Sequence, residues 1–273
     1  MTMNAMFGCL VCLAAPLAGE AQCCVEPPKA EETISLGVIS AQRQDDAIAA
    51  LAFIYPLDTC PVTGKELGSM GDPVVKMYEV EGRGEREVRF CCAGCPPKFE
   101  KDQAKYWKEI DEKIIEQQKE HYPLETCIVS GDALGGDPGM GEPVDYIYRN
   151  RLVRFCCEGC ISDFEAEPEK HLATLDEAIR KAEREKYPLK TCVVSGEELG
   201  SMGAPIEVIA GNRLLLFCCK GCISEFKKEP AKAITAINEA WDEAGEAGES
   251  QPAGTGAGGH DHSGGGHGGG DSA

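Results

Sequence analysis

Between residues 55 and 241 the spacing of apolar positions changes in a fixed order, and that order occurs three times. In the middle copy, Val144-Asp-Tyr-Ile-Tyr148 and Arg151-Leu-Val-Arg-Phe155 flank the pair Arg149-Asn150. β-Branched and aromatic residues on either side of a two-residue turn predict a hairpin. The second strand runs directly into Cys-Cys-x-Gly-Cys, after which the period becomes helical. In the last copy Ile223 and Phe226 are followed, beyond Pro230, by Ala233, Ile234 and Ile237. Pro230 suits the first turn of a second helix, where its missing N–H costs nothing. The charged runs 100–120 and 165–186 predict helices that lead from one copy to the next.

The recurrence extends to individual residues. Tyr55-Pro-Leu-Asp-Thr-Cys60 returns as Tyr122-Pro-Leu-Glu-Thr-Cys127 and Tyr187-Pro-Leu-Lys-Thr-Cys192. Arg89-Phe-Cys-Cys-Ala-Gly-Cys95 returns as Arg154-Phe-Cys-Cys-Glu-Gly-Cys160 and Leu216-Phe-Cys-Cys-Lys-Gly-Cys222. Between them lies a Gly/Pro loop carrying Met70, Met140 or Met202. A short segment with the first Cys precedes that loop and ends in a turn, Ser195-Gly196 in the last copy. Tandem recurrence at this period signals a repeat architecture.

Cysteine spacing carries the chemistry. Cys60 and Cys91 are separated by 30 residues, Cys127 and Cys156 by 28, and Cys192 and Cys218 by 25, yet Cys91–Cys95, Cys156–Cys160 and Cys218–Cys222 all keep a three-residue gap. A hairpin tolerates changes in length, whereas two ligands on one turn do not. The first Cys of each close pair ends a strand and the last lies at a helix start, where unpaired N–H groups favour thiolate, the ligand form. The Gly before the last Cys suits a sharp turn and close approach of N–H groups to sulfur.

This arrangement resembles the TRASH and YHS domains, treble-clef-like heavy-metal modules with one Cys, a hairpin and a Phe-Cys-x-x-x-Cys knuckle that a zinc-binding ribosomal protein family shares. The resemblance covers Tyr55 to about Trp241 and rests on the three sets of cysteines above with Phe90, Phe155 and Phe217. It implies metal binding, and in TRASH proteins metal sensing or trafficking. Two departures stand out. The ribosomal relatives open with Cys-x-x-Cys, where this chain has Thr63, Ser130 or Ser195, and each knuckle here has an extra thiol, Cys92, Cys157 or Cys219. Two site models follow: four thiolates closing round Zn(II) as a tetrahedron, or three thiolates with a fourth place open or filled by water, a hydroxyl or the spare thiol. An open three-sulfur site also suits Cu(I). The second is preferred, because adjacent residues rarely chelate one ion comfortably. The three methionines are read as core filling, with thioether ligation as the alternative.

Composition narrows the function classes. The chain has 273 residues, 16 Cys, 6% aromatic residues and a formal charge of −19. Small cores with few aromatics need help from metal or disulfides, and the acidity disfavours nucleic acid as a partner. Ala5–Ala18 is uncharged, too short to span a membrane, and suits the apolar region of a secretory signal, although no basic residue precedes Lys29. Residues 254–273 contain ten Gly with His260, His262 and His267, a composition that forms no core. His121 and His171 stand singly on charged helical stretches and read as surface residues.

The expected fold is therefore α+β: three tandem small treble-clef-like modules, each a β-hairpin packed on helices, with disordered N- and C-terminal segments. The expected divisions are a signal peptide over 1–21, a linker over 22–54, modules over 55–120, 121–186 and 187–241, and a Gly/His-rich tail over 242–273. The expected function is binding of Zn(II) or Cu(I), about one per module, in buffering, sequestration or trafficking, with a possible protein partner in metal transfer and no catalytic residues. Export is favoured over the cytoplasm, and no transmembrane span is expected. Three other readings stay open. One is a structural zinc-knuckle array that binds proteins. Another is a disulfide-stapled exported protein. The last is a thiol-redox protein built on Cys92-Ala-Gly-Cys95 and its counterparts, against which the absence of a βαβ pattern argues.

Overall fold

The computed structural model describes residues 45–135 and 142–249. The expected signal peptide, most of the linker, Met140 and the tail from residue 250 lie outside the described residues. So do Cys9, Cys12, Cys23 and Cys24.

The fold is α+β, built from two-stranded hairpins and helices. A 3₁₀ turn, Ala50–Phe53, precedes the first hairpin, β1 (Val74–Val80) with β2 (Gly84–Phe90), and helices α1 (Pro96–Lys101) and α2 (Gln103–Lys119). The same order follows as β3 (Val144–Tyr148), β4 (Arg151–Phe155), α3 (Gly159–Ala166) and α4 (Pro168–Glu183), then as β5 (Ile206–Ala210), β6 (Arg213–Phe217), α5 (Lys220–Phe226) and α6 (Pro230–Glu249). The middle hairpin has the strand limits the sequence predicts. Its turn residues Arg149 and Asn150 have φ of 48° and 68°, the left-handed pair that matches the twist of a two-residue hairpin. Pro230 does start α6. That helix runs on to Glu249, into the segment expected to be tail, and Leu51 and Ile54, expected to be linker, are buried.

The repeats interlock rather than stand as beads. Side chains of a strand alternate between faces, and both faces of the later hairpins are covered. Val153 and Phe155 enter the core of their own repeat, while Ile147 and Leu152 enter the core of the first. Likewise Ile209 and Leu214 enter the second core, and Leu215 and Phe217 the third. Among the described residues no repeat precedes the first hairpin. Met77, which the pairing places where Ile147 stands, is 49% exposed against 1% for Ile147. The third core is completed by Leu51 and Ile54.

Each core has the same aromatic pair beneath its knuckle. Phe90–Phe99, Phe155–Phe164 and Phe217–Phe226 each have ring centroids 5.4 Å apart. All six rings are buried, and the pair fixes the end of the second strand against the following helix. Among the described residues no helix is long and apolar enough to cross a membrane.

Candidate metal centres

Each leading cysteine is held by a tight loop. Cys60 N–H donates to Lys65 O (2.8 Å), and Gly64 N–H donates back to Cys60 O (2.8 Å). Cys127 with Asp132 and Gly131, and Cys192 with Glu197 and Gly196, repeat the arrangement. Gly64, Gly131 and Gly196 have φ of 67°, 80° and 73°, a region that only glycine enters freely. The loop turns the cysteine inward and aims backbone N–H groups at its sulfur.

The close pairs lie just past the second strand. Cys91, Cys156 and Cys218 follow the last strand residue, and the next helix begins within a few residues: Cys95 immediately precedes α1, while Cys160 and Cys222 lie in the first turns of α3 and α5. The N–H groups of these last cysteines donate to the carbonyls of Cys92, Cys157 and Cys219 at 3.2, 3.3 and 3.2 Å. Gly94, Gly159 and Gly221 do not adopt positive φ, so the turn itself does not require glycine. A Cβ there would meet the extra thiol's Sγ at 3.9, 3.7 and 3.5 Å, which is ordinary contact. Glycine instead leaves that sulfur uncovered.

The three segments converge. Sγ atoms of Cys60, Cys91 and Cys95 lie within 4.8 Å of one another, as do those of Cys127, Cys156 and Cys160 and those of Cys192, Cys218 and Cys222. All nine cysteines are buried. Within the close pairs the sulfurs are 3.7, 3.7 and 3.6 Å apart, near the roughly 3.8 Å edge of a sulfur tetrahedron with metal–sulfur bonds of about 2.3 Å. The donor set therefore fits a soft or borderline ion. The twelve described cysteines are free thiols.

Two further groups flank every triad. The Oγ atoms of Thr63, Ser130 and Ser195 lie 3.3, 3.4 and 3.4 Å from Sγ of Cys91, Cys156 and Cys218. The extra thiols Cys92, Cys157 and Cys219 lie 3.5, 3.9 and 3.7 Å from the last sulfur of each triad. They are the accessible members: Cys157 is exposed and the other two half-buried.

The environment separates the thiols electrostatically. Burial disfavours the thiolate of the leading cysteines, but backbone N–H groups and the neighbouring hydroxyl outweigh it. Cys60 and Cys127 are lowered to about 7 and Cys192 to about 6. Burial, and the thiol already ionised beside them, push Cys95 and Cys160 well up and Cys222 up to about 12. The leading thiol of each triad therefore ionises readily, and the last keeps its proton until a cation takes its place.

Several sequence expectations change here. Met70 and Met202 are not core residues: they are 56% and 67% exposed on their loops, because the glycine-rich loop carries them away from the hairpin. His171 is not merely solvated, since its Nδ1 lies 3.2 Å from Ile128 O and its ring packs on Phe164. His121 is half-buried, and burial, with Arg213 nearby, lowers its pKa. Neither joins a triad.

The structure adds a buried arginine four residues before each knuckle Phe: Arg86, Arg151 and Arg213. Arg86 pairs with Asp111 (2.8 Å), Arg151 with Asp176 (2.7 Å) and Arg213 with Glu183 (2.8 Å). Their recurrence in register was the available signal, but an alternating strand pattern gives no reason to bury a charge. Comparisons with protein-family models, curated proteins and solved structures return no match.

Proposed function

We propose that this chain is a metal-ion-binding protein rather than an enzyme, holding Zn(II) or Cu(I), about one ion per repeat, for buffering, sequestration or delivery. The observation that carries the reading is the threefold convergence of buried sulfurs to within 4.8 Å, from segments far apart in sequence. Buried thiolates are costly without a cation, and an all-sulfur donor set selects soft or borderline ions over hard ones. The likeness of each repeat to TRASH and YHS modules of treble-clef type points the same way. When bound, the ion would be held by Cys60, Cys91 and Cys95 or their counterparts, with the hydroxyl and the extra thiol beside them.

A structural role for zinc is favoured by one feature: each triad lies inside the apolar cluster that forms its repeat's core. Metal removal separates the two readings. The anaerobically purified chain is depleted with a chelator while circular dichroism and metal content are followed. A handling site gives up its ion with hairpins and helices intact, whereas structural zinc leaves only as the repeat unfolds.

A further inference from the structure

The geometry points to Cys92, Cys157 and Cys219 as the exchange ligands of the three centres: each is the sulfur through which an ion passes between the buried triad and a thiol-bearing acceptor. This rests on the metal-binding reading above and assigns a role to the one thiol per repeat that the triads leave out.

Three observations carry it. Accessibility is divided sharply, with the nine triad cysteines buried and the fourth thiol of each repeat half-buried or exposed. Its sulfur is nevertheless within 3.5–3.9 Å of the last triad sulfur, close enough for both to bond one ion. Two positions on stands Gly94, Gly159 or Gly221, whose missing side chain leaves that sulfur open. The intervening position varies as Ala93, Glu158 and Lys220 while the thiol does not. On the other flank stands a hydroxyl, a harder donor that competes poorly for such ions.

The step is ligand exchange, and the ion keeps its oxidation state. A bond from the ion to Cys92 forms as that to the adjacent Cys91 breaks, and the proton leaving the Cys92 thiol ends on the Cys91 sulfur. An acceptor thiol then bonds to the outward-shifted ion, and the protons it and its fellows release pass to Cys60, Cys92 and Cys95 as those bonds break. Cys157 with Cys156, and Cys219 with Cys218, act alike.

The test uses the full chain loaded anaerobically with Zn(II), and a triple variant Cys92→Ser, Cys157→Ser, Cys219→Ser. Bound zinc is counted by elemental analysis, and its transfer to excess glutathione and to a colorimetric zinc chelator is timed by stopped flow. The variant is expected to hold as many ions as the unaltered chain and to release them at least tenfold more slowly. A control with Thr63→Ala, Ser130→Ala and Ser195→Ala should not slow release. Unchanged or faster release from a fully loaded variant would overturn the proposal and leave metal binding standing. Loss of three ions from the variant would make these thiols obligate ligands and would also overturn it. An unaltered chain that takes up no zinc and no Cu(I) would sink the metal-binding reading itself, and the proposal with it.

Discussion

Arg86 Nε donates to Asn150 Oδ1 at 3.1 Å, joining the second strand of one repeat to the hairpin turn of the next. Arg151 makes the same bond to Asn212 (2.9 Å) one repeat later. The asparagines sit at positive φ and return a bond through Nδ2, to Glu87 O and to Leu152 O, both at 2.8 Å. Among the described residues no further hairpin turn follows the last repeat, and Arg213 Nε takes Asn238 Oδ1 of α6 instead (2.8 Å). Arg89 also donates to the carbonyls of Lys227 and Lys228 (both 2.8 Å), tying the first knuckle's strand to the end of the helix that carries Cys222. The three candidate centres thus share one continuous framework.

That framework is testable without metal. Asn150→Ala and Asn212→Ala leave a buried guanidinium short of a partner and place alanine at positive φ. Each should cost about 2–4 kcal/mol, measured by urea unfolding of the apo chain. A loss below about 0.5 kcal/mol would mean that the repeats are held together by apolar contact alone.

The cysteines should sort by position. Cys218→Ser and Cys222→Ser should each remove one ion per chain, counted by elemental analysis, whereas Cys219→Ser should keep the count. Equal losses from all three would favour a closed four-thiolate site.

The hydroxyl next to each knuckle sulfur sets acidity. Cys192 is lowered to about 6, against burial, by Ser195 and nearby backbone N–H groups. Its folded value lies below the unfolded one of about 8.5. It therefore contributes stability that is complete above the unfolded value and lost as pH falls through about 6. Ser195→Ala should raise that titration, seen as a shift of the ultraviolet thiolate absorbance of the apo chain to higher pH. An unmoved titration would assign the effect to the backbone alone.

The exposed methionines should be dispensable for folding. Met70→Ser and Met202→Ser are expected to change stability by less than about 0.5 kcal/mol, read from thermal or urea unfolding. A larger loss would place them against a core after all.

Much of this architecture was legible in the sequence, for identifiable reasons. Val144–Tyr148 and Arg151–Phe155 announce themselves because alternation and a turn pair are local signals. The grouping of Cys60 with Cys91 and Cys95 followed from a fixed gap beside a variable one. What stayed hidden is non-local. Leu152 and Val153 are both apolar, and nothing in one strand says that they serve different cores. Arg86 reads as a solvated charge until Asn150 and Asp111 arrive from other segments. Met202 looks like core filling, since hydrophobicity alone does not reveal that Gly200 and Gly203, with φ of 94° and 113°, hold the loop tip outward.

The most direct measurement combines elemental analysis with X-ray absorption on the full chain purified without oxygen. The account predicts three zinc or copper ions per chain in sulfur coordination, with metal–sulfur distances of about 2.3 Å. A chain that is normally folded yet carries no sulfur-bound ion, and takes none up when offered Zn(II) or Cu(I), would contradict it.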